Sequence, residues 1–584
     1  MGKKTHKKSY AYGLVGEKLG HSFSPLLHEK FGKYEYGLME IAKDEIEAYF
    51  AAGDFGGINV TIPYKEVAIR YCRPDENAAK IGCVNTLVKT SSGINGYNTD
   101  TFGFEYMCKR AHIDVRGKKV TILGSGGTCR TAAFTVSKLG AGSVTVVSRH
   151  PEDIGLDIAC PVRYASYSDT FDDCEVLINT TPVGMYPENG KAPVDITKNY
   201  VNLEAVIDVI YNPLRTKLLL SAQKRGLKYT GGLPMLVAQG YFASCLFAGN
   251  RLSGDPVGNL DKSEIKKIEK VIEHIRLVTG NIVLVGMPGS GKTTVGKIIS
   301  DKLGLSFSDT DEIFTKDNGT SPAKCISKNG EEVFRALEKK AVKAACKKTG
   351  RVIATGGGVV LDPENIEELS YNGTIVYIHR KLSELATSDR PLSAGAENLK
   401  ALYYKRLPIY LGCCDFSVVV DSDAKNVAES VIDGLHNIGR KRKKNILVIN
   451  GPNLNMLGIR EPDIYGHETY ADLMEMCRKK ADELGVNVRF FQSNHEGDLV
   501  DIIHFAYGVT DGIVINPGGY THTSVALLDA LKAVGIPAIE VHISEVDSRE
   551  EFRKTNYIRH YVKGTITGHG LAGYLEAMEE LARL

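Results

Sequence analysis

The stretch NIVLVGMPGSGKTT (281–294) passes from a short apolar run into a glycine-rich turn and then into a helical pattern. KVTILGSGGT (119–128) and NILVINGPN (445–453) follow the same order. A buried strand followed at once by such a turn is typical of parallel α/β units. Because this order restarts at least three times, the sequence predicts an α/β protein built from successive parallel-sheet units.

The composition indicates a multidomain globular protein. The chain has 584 residues, of which 43% are hydrophobic and 24% charged, enough for about four domains. Lys+Arg 72 against Asp+Glu 70 leaves a net charge of +2, which argues against a general nucleic-acid or membrane-surface binder. No apolar run reaches membrane length, the N-terminal residues lack the apolar core of a secretory signal, and the 12 cysteines form no CxxC pair. We therefore expect a cytoplasmic protein with reduced thiols and with neither nucleic-acid nor membrane partners.

Two polar segments divide the chain. Residues 259–280 have a charged, helical pattern, and 437–444 contain the basic run RKRKK. Both precede a new strand, and a basic run of this length is more often a solvated linker than a nucleic-acid or targeting patch. The predicted segments are 1–258, 281–436 and 445–584. The first should hold a substrate part to about 105, a nucleotide part over about 106–235, and C-terminal helices to 258.

The first segment carries a candidate dinucleotide site. GSGGTCR (124–130) lies between a strand and a helix, where backbone N–H groups can hold a pyrophosphate, although such a loop also serves as a plain turn. The next strand ends at Ser148-Arg149, without the Asp or Glu that would bind a ribose 2′-hydroxyl. Arg149 suits a 2′-phosphate, so the sequence predicts NADP(H) rather than NAD.

Six stretches of the first segment carry small polar residues, and the first four of them also place one lysine and one aspartate on loops. They are HSFSP (21–25), GGINVTIPYKE (56–66), GCVNTLV (82–88), GYNTDTFG (96–103), DVIYNPLRT (208–216) and GGLPMLVAQG (231–240). Together they resemble shikimate dehydrogenase across 1–258. The resemblance implies a catalytic pair, Lys65 and Asp100, in which the aspartate keeps the ammonium charged and oriented toward a developing alkoxide. Taken alone, Lys65 would be read as a surface residue, and quinate stays open as an alternative substrate.

The same resemblance assigns the other residues of this segment. The substrate would be bound by Ser22, Ser24, Thr61, Asn85, Tyr211 and Gln239. NADP(H) would be bound by Gly124, Ser125, Gly126, Gly127, Thr128, Arg130, Ser148, Arg149, Val209 and Gly232. Ser148-Arg149-His150 replaces the usual Asn-Arg-Thr of the family, which changes the flanking contacts and keeps the arginine.

The second segment opens on a phosphate-binding loop. GMPGSGKT (286–293) fits G-x-x-x-x-G-K-[ST] between a strand and a helix. The loop N–H groups and Lys292 would hold nucleotide phosphates, and the Thr293 hydroxyl would reach Mg²⁺. The motif alone fits a GTPase, an ATPase motor or a small-molecule kinase, but the sequence has no NKxD motif and no long motor insertion.

Five further stretches of the second segment narrow the choice: FSDTDEIF (307–314), GEEVFRALE (330–338), ATGGGVV (354–360), SDRPL (388–392) and KRLPIY (405–410). Together they resemble shikimate kinase over 281–436. The resemblance implies that Lys292 and Asp311 are catalytic and that Asp309 contacts Mg²⁺ through water. The shikimate carboxylate would be bound by Arg335, Gly357 and Arg406, and ATP by Gly289, Ser290, Gly291, Thr293, Thr294 and, on a lid, Arg390. By helical spacing alone, Arg335 would pair with Glu331 or Glu338, and a nucleotide-sensing or scaffolding module without turnover is the alternative to a kinase.

The third segment contains four stretches in which an apolar strand runs into polar residues: NILVINGPNLNMLGIREPDIYG (445–466), FFQSNHEGD (490–498), VINPGGYTHTSVALLDAL (514–531) and AIEVHISEVDSREEFR (538–553). Together they resemble type II 3-dehydroquinate dehydratase over 445–584. The resemblance implies that Tyr465 is the base that removes a C2 proton, and that the charge of Arg460 favours its phenolate. His542 would protonate the leaving hydroxyl, and Asn455 with Asn516 would stabilise the enolate. The substrate would be bound by Asn516, His522, Asp529, Ile543, Ser544 and Arg553.

The three resemblances imply one trifunctional enzyme of aromatic amino-acid and chorismate biosynthesis. It would convert 3-dehydroquinate to 3-dehydroshikimate, reduce this with NADPH to shikimate, and phosphorylate shikimate with ATP and Mg²⁺. The expected fold is a shikimate dehydrogenase-like unit (an α/β substrate domain and a Rossmann NADP domain), a P-loop kinase and a flavodoxin-like type II dehydroquinase. The resemblance also implies a homo-oligomer formed through the C-terminal domain.

Overall fold

The computed structural model describes residues 10–20, 22–153, 155–169, 171–198, 200–252, 254–385, 396–437, 443–459, 467–548 and 550–584. Within these ranges the chain forms two compact units, Met1–Val283 with Ser300–Ile375, and Leu284–Ile299 with Val376–Leu584. The division falls inside the second segment, and the segment boundaries stay a prediction. Both units consist of helices on mainly parallel sheets, which confirms the predicted α/β class.

A six-stranded mixed sheet forms the first part of the first unit. Its elements are β1 (Tyr12–Gly16), α1 (Ser24–Phe31), β2 (Tyr36–Glu40), α2 (Ile46–Ala52), β3 (Gly57–Val60), α3 (Lys65–Ala68), β4 (Arg73–Pro74), α4 (Glu76–Ile81), β5 (Thr86–Thr90), β6 (Gly93–Tyr97) and α5 (Asp100–Arg110). The strand order is β2-β1-β3-β5-β6-β4, with β5 antiparallel to both neighbours. Val15, Ile58 and Leu87 are fully buried and fix which face of the sheet turns inward.

A second six-stranded sheet follows, and all of its strands are parallel. Its elements are β7 (Lys119–Leu123), α6 (Gly127–Lys138), β8 (Ser143–Val147), β9 (Val162–Ala165), β10 (Val176–Asn179), β11 (Ala205–Asp208), α7 (Lys217–Lys224), β12 (Lys228–Thr230) and α8 (Leu233–Phe247). The order is β12-β11-β10-β7-β8-β9. In such a sheet ligands bind beyond the carboxyl ends of the strands, so the loops after β7, β8, β10 and β11 are the ones that can meet a cofactor.

Helix α9 (Lys262–Thr279) occupies the predicted linker 259–280. Asp261 and Glu264 form a capping box at its start, and Ile268, Val271, Ile272 and Ile275 are buried in one cluster with residues of α1, α5 and α8. The spacing of these four residues puts them on one helical face, which is why a segment rich in charges still packs firmly on the first segment.

The second segment contributes strands to both units. Its elements are β13 (Asn281–Val285), α10 (Lys292–Leu303), β14 (Ser306–Asp309), α11 (Thr310–Asn318), α12 (Pro322–Asn329), α13 (Glu331–Cys346), β15 (Arg351–Ala354), α14 (Pro363–Asn372), β16 (Gly373–Arg380), α15 (Ala396–Cys413), β17 (Phe416–Val420) and α16 (Ala424–His436). The strand order is β14-β15-β13-β16-β17. In the first unit β14 pairs with β15 in parallel, and in the second unit β16 pairs with β17 in parallel.

The third segment is a five-stranded parallel sheet with helices on both faces. Its elements are β18 (Asn445–Asn450), α17 (Tyr470–Leu484), β19 (Asn487–Gln492), α18 (Glu496–Phe505), β20 (Gly512–Asn516), α19 (Val525–Val534), β21 (Ala538–His542), β22 (Gly564–Thr567) and α20 (Ala572–Arg583). The order is β19-β18-β20-β21-β22. Val448 and Ile449 enter opposite apolar clusters, as expected for strands covered on both sides. No helix among the described residues is both long enough and apolar enough to cross a membrane.

Candidate active sites

A lysine and an aspartate at the starts of two helices form the first candidate site. Lys65 begins α3 and Asp100 begins α5, and their Nζ and Oδ2 atoms are 2.5 Å apart. Their side chains are 21% and 14% exposed, so the pair is shielded from bulk water and still reachable. Burial lowers the pKa of Lys65, but the charge and hydrogen bond of Asp100 outweigh this and leave the pKa above its ordinary value. Lys65 is therefore an ammonium at neutral pH and can donate a proton.

The predicted substrate residue Asn85 is held by the turn before α5. Its Oδ1 accepts hydrogen bonds from the Thr99 N–H at 2.8 Å, the Thr99 hydroxyl at 3.1 Å and the Thr86 hydroxyl at 3.0 Å. Because its oxygen is used in this way, the amide nitrogen is the group suited to meet a substrate oxygen. Thr61 follows β3 directly, and its N–H donates to the carbonyl of Val15 at 3.0 Å.

The other predicted substrate residues come from three separate elements. Ser22 Oγ lies 3.2 Å from Ser24 Oγ at the start of α1. The ring of Phe23, between them, meets the ring of Tyr211 edge-on with 6.0 Å between centroids, which brings the loop after β11 beside the serine pair. Gln239 lies on α8, where its Nε2 donates to the carbonyl of Leu236 at 2.8 Å.

The glycine-rich loop after β7 has the geometry of a phosphate cradle. Gly124 has a φ of +105°, and a Cβ there would lie 2.8 Å from Thr180 Oγ1, so the position requires glycine. Helix α6 begins right after Gly126, where an added Cβ would meet no described atom within 4 Å, leaving its first N–H groups accessible to a pyrophosphate. Ser125 Oγ lies 3.2 Å from Ser148 Oγ, which ties the loop to the end of β8.

The residues predicted to bind NADP(H) lie at two ends of this candidate site, which differ in exposure and packing. Arg149 is exposed at the tip of β8, and Arg130 on α6 donates to the carbonyl of Gly155 at 3.2 Å. At the other end, Gly232 packs so closely on the loop after β11 that an added Cβ would lie 1.9 Å from the Val209 carbonyl oxygen. Thr128 lies in the first turn of α6.

The phosphate-binding loop of the second segment encloses its own lysine. Lys292 is buried, and its Nζ donates to the carbonyl oxygens of Gly286 and Met287 at 2.9 Å each. Gly289 and Gly291 have φ values of +83° and +93°, which turn the backbone around this ammonium. The loop and the first turn of α10 also contain the remaining predicted residues, Ser290, Thr293 and Thr294.

Asp311 lies beside the glycine loop that follows β15. Asp309 caps α11, and its Oδ1 accepts the Asp311 N–H at 2.9 Å. The Gly356 N–H donates to Thr310 Oγ1 at 3.0 Å, and an added Cβ at Gly356 would lie 2.7 Å from Asp311 Oδ1. The carboxylate and this backbone therefore line one place in the first unit, as a hydroxyl-binding role requires.

Arg335 makes both ion pairs that its helical spacing indicates. Its guanidinium nitrogens lie 2.9 Å from Glu331 Oε1 and 2.7 Å from Glu338 Oε2. It also borders the glycine loop, because a Cβ at Gly358 would lie 2.5 Å from its Nη1. Arg335 thus has a structural role in ion pairs on its own helix. Arg406 is buried on α15. The binding of the substrate by Arg335, Gly357 and Arg406 stays a prediction.

The two residues predicted to hold Mg²⁺ belong to different compact units, Thr293 to the second and Asp309 to the first. A hydroxyl and a carboxylate are oxygen donors of the kind that Mg²⁺ takes, and the role of both residues as its ligands stays a prediction. Among the described residues no group of three or more His, Cys, Asp or Glu could hold a metal ion.

Three predicted site residues lie outside the described residues, namely Arg390, Arg460 and Tyr465. Their assignments as lid residue, charged neighbour and general base stay predictions.

A cavity of about 220 Å³ opens at the carboxyl edge of the third segment's sheet. Six predicted residues line it: Asn516, His522, His542, Ile543, Ser544 and Arg553. Asn455 does not line this cavity; its Oδ1 accepts a hydrogen bond from Gln492 Nε2 at 3.4 Å. Asp529 is exposed on α19 and also does not line it.

His542 is held from inside the sheet by Glu540, a residue that the sequence analysis did not single out. His542 Nε2 lies 2.9 Å from Glu540 Oε1, and Glu540 is fully buried. Burial raises the pKa of Glu540, but hydrogen bonds from His542, Thr521 and Asn556 outweigh this, so the pKa lies below its ordinary value. A carboxylate only accepts, so Nε2 carries a hydrogen and Nδ1 is the nitrogen free to exchange protons with a substrate. The signal in the sequence is a glutamate inside the apolar strand AIEVH (538–542).

Asn516 is oriented by a buried tyrosine, Tyr574, that no local sequence pattern singles out. The Tyr574 hydroxyl donates to Asn450 Oδ1 at 2.6 Å and accepts from Asn516 Nδ2 at 2.8 Å. Burial raises the pKa of Tyr574, so the hydroxyl keeps its proton and this chain of hydrogen bonds keeps its direction. The Gly518 N–H donates to Asn516 Oδ1 at 3.2 Å, which fixes the other end of the amide.

Comparison with known protein families assigns each segment. Residues 14–87 match the shikimate dehydrogenase substrate binding domain, 288–436 match shikimate kinase, and 444–582 match dehydroquinase class II.

Individual relatives cover one segment each. A 3-dehydroquinate dehydratase of Caldicellulosiruptor saccharolyticus is 56% identical over 142 residues, which are 24% of this chain and 98% of that protein. A solved chorismate mutase/shikimate 5-dehydrogenase fusion protein from Clostridium acetobutylicum is 32% identical, with a TM-score of 0.40, over 45% of this chain and 96% of that one. A solved type II dehydroquinase from Butyrivibrio crossotus is 52% identical, with a TM-score of 0.24, over 24% of this chain and 97% of that one.

Proposed function

Since this chain belongs to the class II dehydroquinase, shikimate kinase and shikimate dehydrogenase families, and so is a multidomain shikimate-pathway enzyme, we propose that it catalyses three consecutive steps. It dehydrates 3-dehydroquinate to 3-dehydroshikimate, reduces this with NADPH to shikimate, and phosphorylates shikimate with ATP. One observation carries the proposal: the three matched families act consecutively, so that the dehydratase makes the substrate of the dehydrogenase and the dehydrogenase makes the substrate of the kinase.

In the dehydratase domain we assign proton transfer to Tyr465 and His542. Tyr465, as a phenolate favoured by the charge of Arg460, would remove the C2 proton, and His542 would protonate the hydroxyl that leaves. The pairing of His542 with buried Glu540 supports this role, because the carboxylate stabilises the imidazolium that must donate. Asn516, held by Tyr574, and Asn455 stabilise the enolate oxygen, while His522, Asp529, Ile543, Ser544 and Arg553 bind the substrate.

In the dehydrogenase domain the proton donor is Lys65. Its pair with Asp100 keeps the ammonium charged and aimed, so that it can neutralise the alkoxide that forms when the ketone is reduced. NADPH, bound along the loops after β7 and β8, supplies the hydride. The exposed Arg149 supports NADP(H) over NAD, because a guanidinium binds a 2′-phosphate with charge-assisted hydrogen bonds.

In the kinase domain the work is positioning and charge neutralisation. Lys292 and the loop N–H groups would hold the ATP phosphates, Thr293 would bind Mg²⁺ directly and Asp309 through water, and Asp311 would orient the acceptor hydroxyl. Arg335, Gly357 and Arg406 bind the carboxylate of shikimate. ATP supplies the transferred phosphoryl group, and Mg²⁺ neutralises its charge.

The chain should work in the cytoplasm as a homo-oligomer joined through its dehydratase domain. All 12 cysteines are free thiols, which supports a reducing compartment. Light scattering at micromolar protein tests the assembly, and a monomer would reject it.

One incubation tests the three activities together. The full chain is given 3-dehydroquinate, NADPH, ATP and Mg²⁺, and the products are identified by mass spectrometry at intervals. We expect 3-dehydroshikimate, shikimate and shikimate 3-phosphate to appear in that order. Omission of NADPH should stop the series at 3-dehydroshikimate, and omission of ATP at shikimate. If 3-dehydroquinate stayed unreacted with every component present, the proposal would be contradicted.

A further inference from the structure

Arg215 of a dehydrogenase loop binds the end of the kinase helix α14. Arg215, in the loop between β11 and α7, donates from Nε to the Ser370 carbonyl at 3.0 Å and from Nη2 to the Gly373 carbonyl. The Arg215 backbone N–H donates to the Tyr371 carbonyl at 2.9 Å. The last carbonyls of a helix have no partner within the helix and carry partial negative charge, so a guanidinium is well suited to bind them.

Neighbouring residues extend this contact on both sides. The Leu214 N–H donates to Asn372 Oδ1 at 2.9 Å, and Lys217 Nζ lies 3.4 Å from Glu367 Oε1. A Cβ at Gly190, in the loop after β10, would lie 3.1 Å from the Tyr371 hydroxyl. The C-terminal half of α14 thus contacts the loops that follow both β10 and β11.

These two loops are also joined to each other and to the sheet. The Tyr186 N–H donates to the Asn212 carbonyl at 3.0 Å. The Thr216 hydroxyl donates to Asp208 Oδ2 at 2.7 Å, and Asp208 Oδ1 accepts the Ile210 N–H at 3.1 Å. Asp208 and Thr216 are buried, and residues 209–215 lie between them. A displacement of Arg215 would therefore also displace the other residues of this loop.

The residues between them belong to the proposed dehydrogenase site. Val209 packs on Gly232, and the Tyr211 ring meets Phe23 between the two substrate serines. The loops after β10 and β11 lie at the carboxyl edge of the Rossmann sheet, on the side of β7 away from the 2′-phosphate residue Arg149.

We propose that the end of α14 is a docking surface for the dehydrogenase loops 184–191 and 209–217, and that Arg215 is a positioning residue which makes the kinase domain part of the support of the NADPH and substrate site. The kinase then has a second role in this chain besides phosphorylation. This inference rests on the proposed dehydrogenase function for its kinetic consequences, and on the observed contacts alone for the docking.

The test uses Arg215→Ala and Asn372→Ala in the full chain, one variant from each side of the contact. Both should raise the KM for NADPH and for 3-dehydroshikimate by about fivefold or more, with a smaller change in kcat, because the chemistry of Lys65 is untouched. Arg215→Lys keeps the charge without the fork and should fall between wild type and Arg215→Ala. The matched control is Arg116→Ala, which removes an exposed arginine paired with Asp114 away from the contact.

Binding gives a readout that does not depend on turnover. The chain contains no tryptophan, so the fluorescence of bound NADPH can be titrated with little protein background. The double variant Arg215→Ala/Asn372→Ala should lose less than the product of the two single effects, because both residues hold the same helix end.

The outcomes separate the inference from the proposed function. Wild-type KM values and NADPH affinity in folded Arg215→Ala and Asn372→Ala would overturn the docking role. If wild type binds NADPH but reduces no 3-dehydroshikimate, the proposed function fails, and the NADPH titration of the variants still decides the docking. If Arg215→Ala does not fold, Asn372→Ala decides, since it removes one side-chain acceptor and leaves the guanidinium in place.

Discussion

The dehydratase cavity and the cofactor side of the dehydrogenase are supported in different ways. His542 is held by Glu540, which is itself bound by Thr521 and Asn556, all within 445–584. The dehydrogenase loop around Tyr211 is instead anchored through Arg215 on a helix of the kinase segment. The residues of a site can therefore all lie in one segment while the contacts that position them come from another.

The largest effect should come from Tyr465→Phe, which tests how self-contained the dehydratase is. The substitution removes the ionisable hydroxyl and keeps the ring, and loss of a general base costs about 10²–10⁴ in rate. Shikimate oxidation by NADP and phosphorylation by ATP should stay within about twofold of wild type. Steady-state rates of all three reactions provide the measurement, with the exposed Tyr507→Phe as control. A parallel loss of all three activities would show that the dehydratase site is coupled to the others.

Glu540→Gln should lower the dehydratase activity, because Glu540 supports His542 within the same segment. The amide keeps the size of the side chain but removes the negative charge that stabilises a protonated His542, and loss of such a partner costs about ten- to a hundredfold in activity. The product absorbs in the ultraviolet as a conjugated enone, which gives a direct assay.

The control for this change is Glu576→Gln. Glu576 lies 3.0 Å from His569 in an exposed His–Glu pair of the same domain, so its loss should leave the rate within about twofold. Equal dehydratase rates for Glu540→Gln and Glu576→Gln would show that Glu540 does not support catalysis.

Arg149→Ala should separate the two ends of the cofactor site. Loss of the guanidinium should lower kcat/KM with NADPH by about tenfold or more and leave that with NADH nearly unchanged, because NADH lacks the 2′-phosphate. The KM for 3-dehydroshikimate should not change, in contrast to the increase expected for Arg215→Ala and Asn372→Ala. The exposed Arg163→Ala, on the neighbouring strand β9, is the control. An unchanged preference for NADPH over NADH would refute the role of Arg149.

What the sequence could predict depends on how far apart the contributing residues lie. The Lys292 loop occupies a strand, a turn and a helix start, so its spacing alone predicts a phosphate site, whereas the same order at Gly124 is compatible with a phosphate site or with a plain turn. Glu540 was detectable in principle, because a charge inside an apolar parallel strand must have a partner. No local pattern indicates that Arg215 binds the end of α14, since that contact depends on how two domains meet.

For Arg335 the local pattern predicts the observed contacts correctly but does not decide the function of the residue. Its spacing predicts ion pairs with Glu331 and Glu338, and the structure contains both. The resemblance to shikimate kinase implies a substrate carboxylate at the same guanidinium, and the nearby Gly358 agrees with either role. One side chain can satisfy a local pattern and still serve a site, so spacing alone does not decide its function.

The smallest effect concerns the contact between the kinase and dehydratase segments. His379 on β16 is buried, its Nε2 lies 2.9 Å from the Tyr403 hydroxyl, and its ring lies 4.2 Å from that of Phe505 on α18. Burial, with a smaller contribution from the charge of Arg489, lowers the pKa of His379 to about 3. The unfolded chain therefore binds more protons than the folded one between about pH 3 and pH 6.5, so this contribution to stability is complete above pH 6.5 and declines as the pH falls.

When the pH falls from 7 to 5, the free energy of unfolding of the wild type should decrease by about 1–2 kcal/mol because of His379. The decrease should be correspondingly smaller in His379→Phe. Thermal unfolding at the two pH values measures the difference, and His28→Phe is the matched comparison, because His28 is also buried with its pKa lowered to about 3 by burial. Phe505 does not line the dehydratase cavity, so His379→Phe should keep dehydratase activity within about twofold, unlike the loss expected for the dehydrogenase at Arg215. A large loss of dehydratase activity in His379→Phe would mean that this domain, too, takes its support from the kinase, and the contrast between the two sites would disappear.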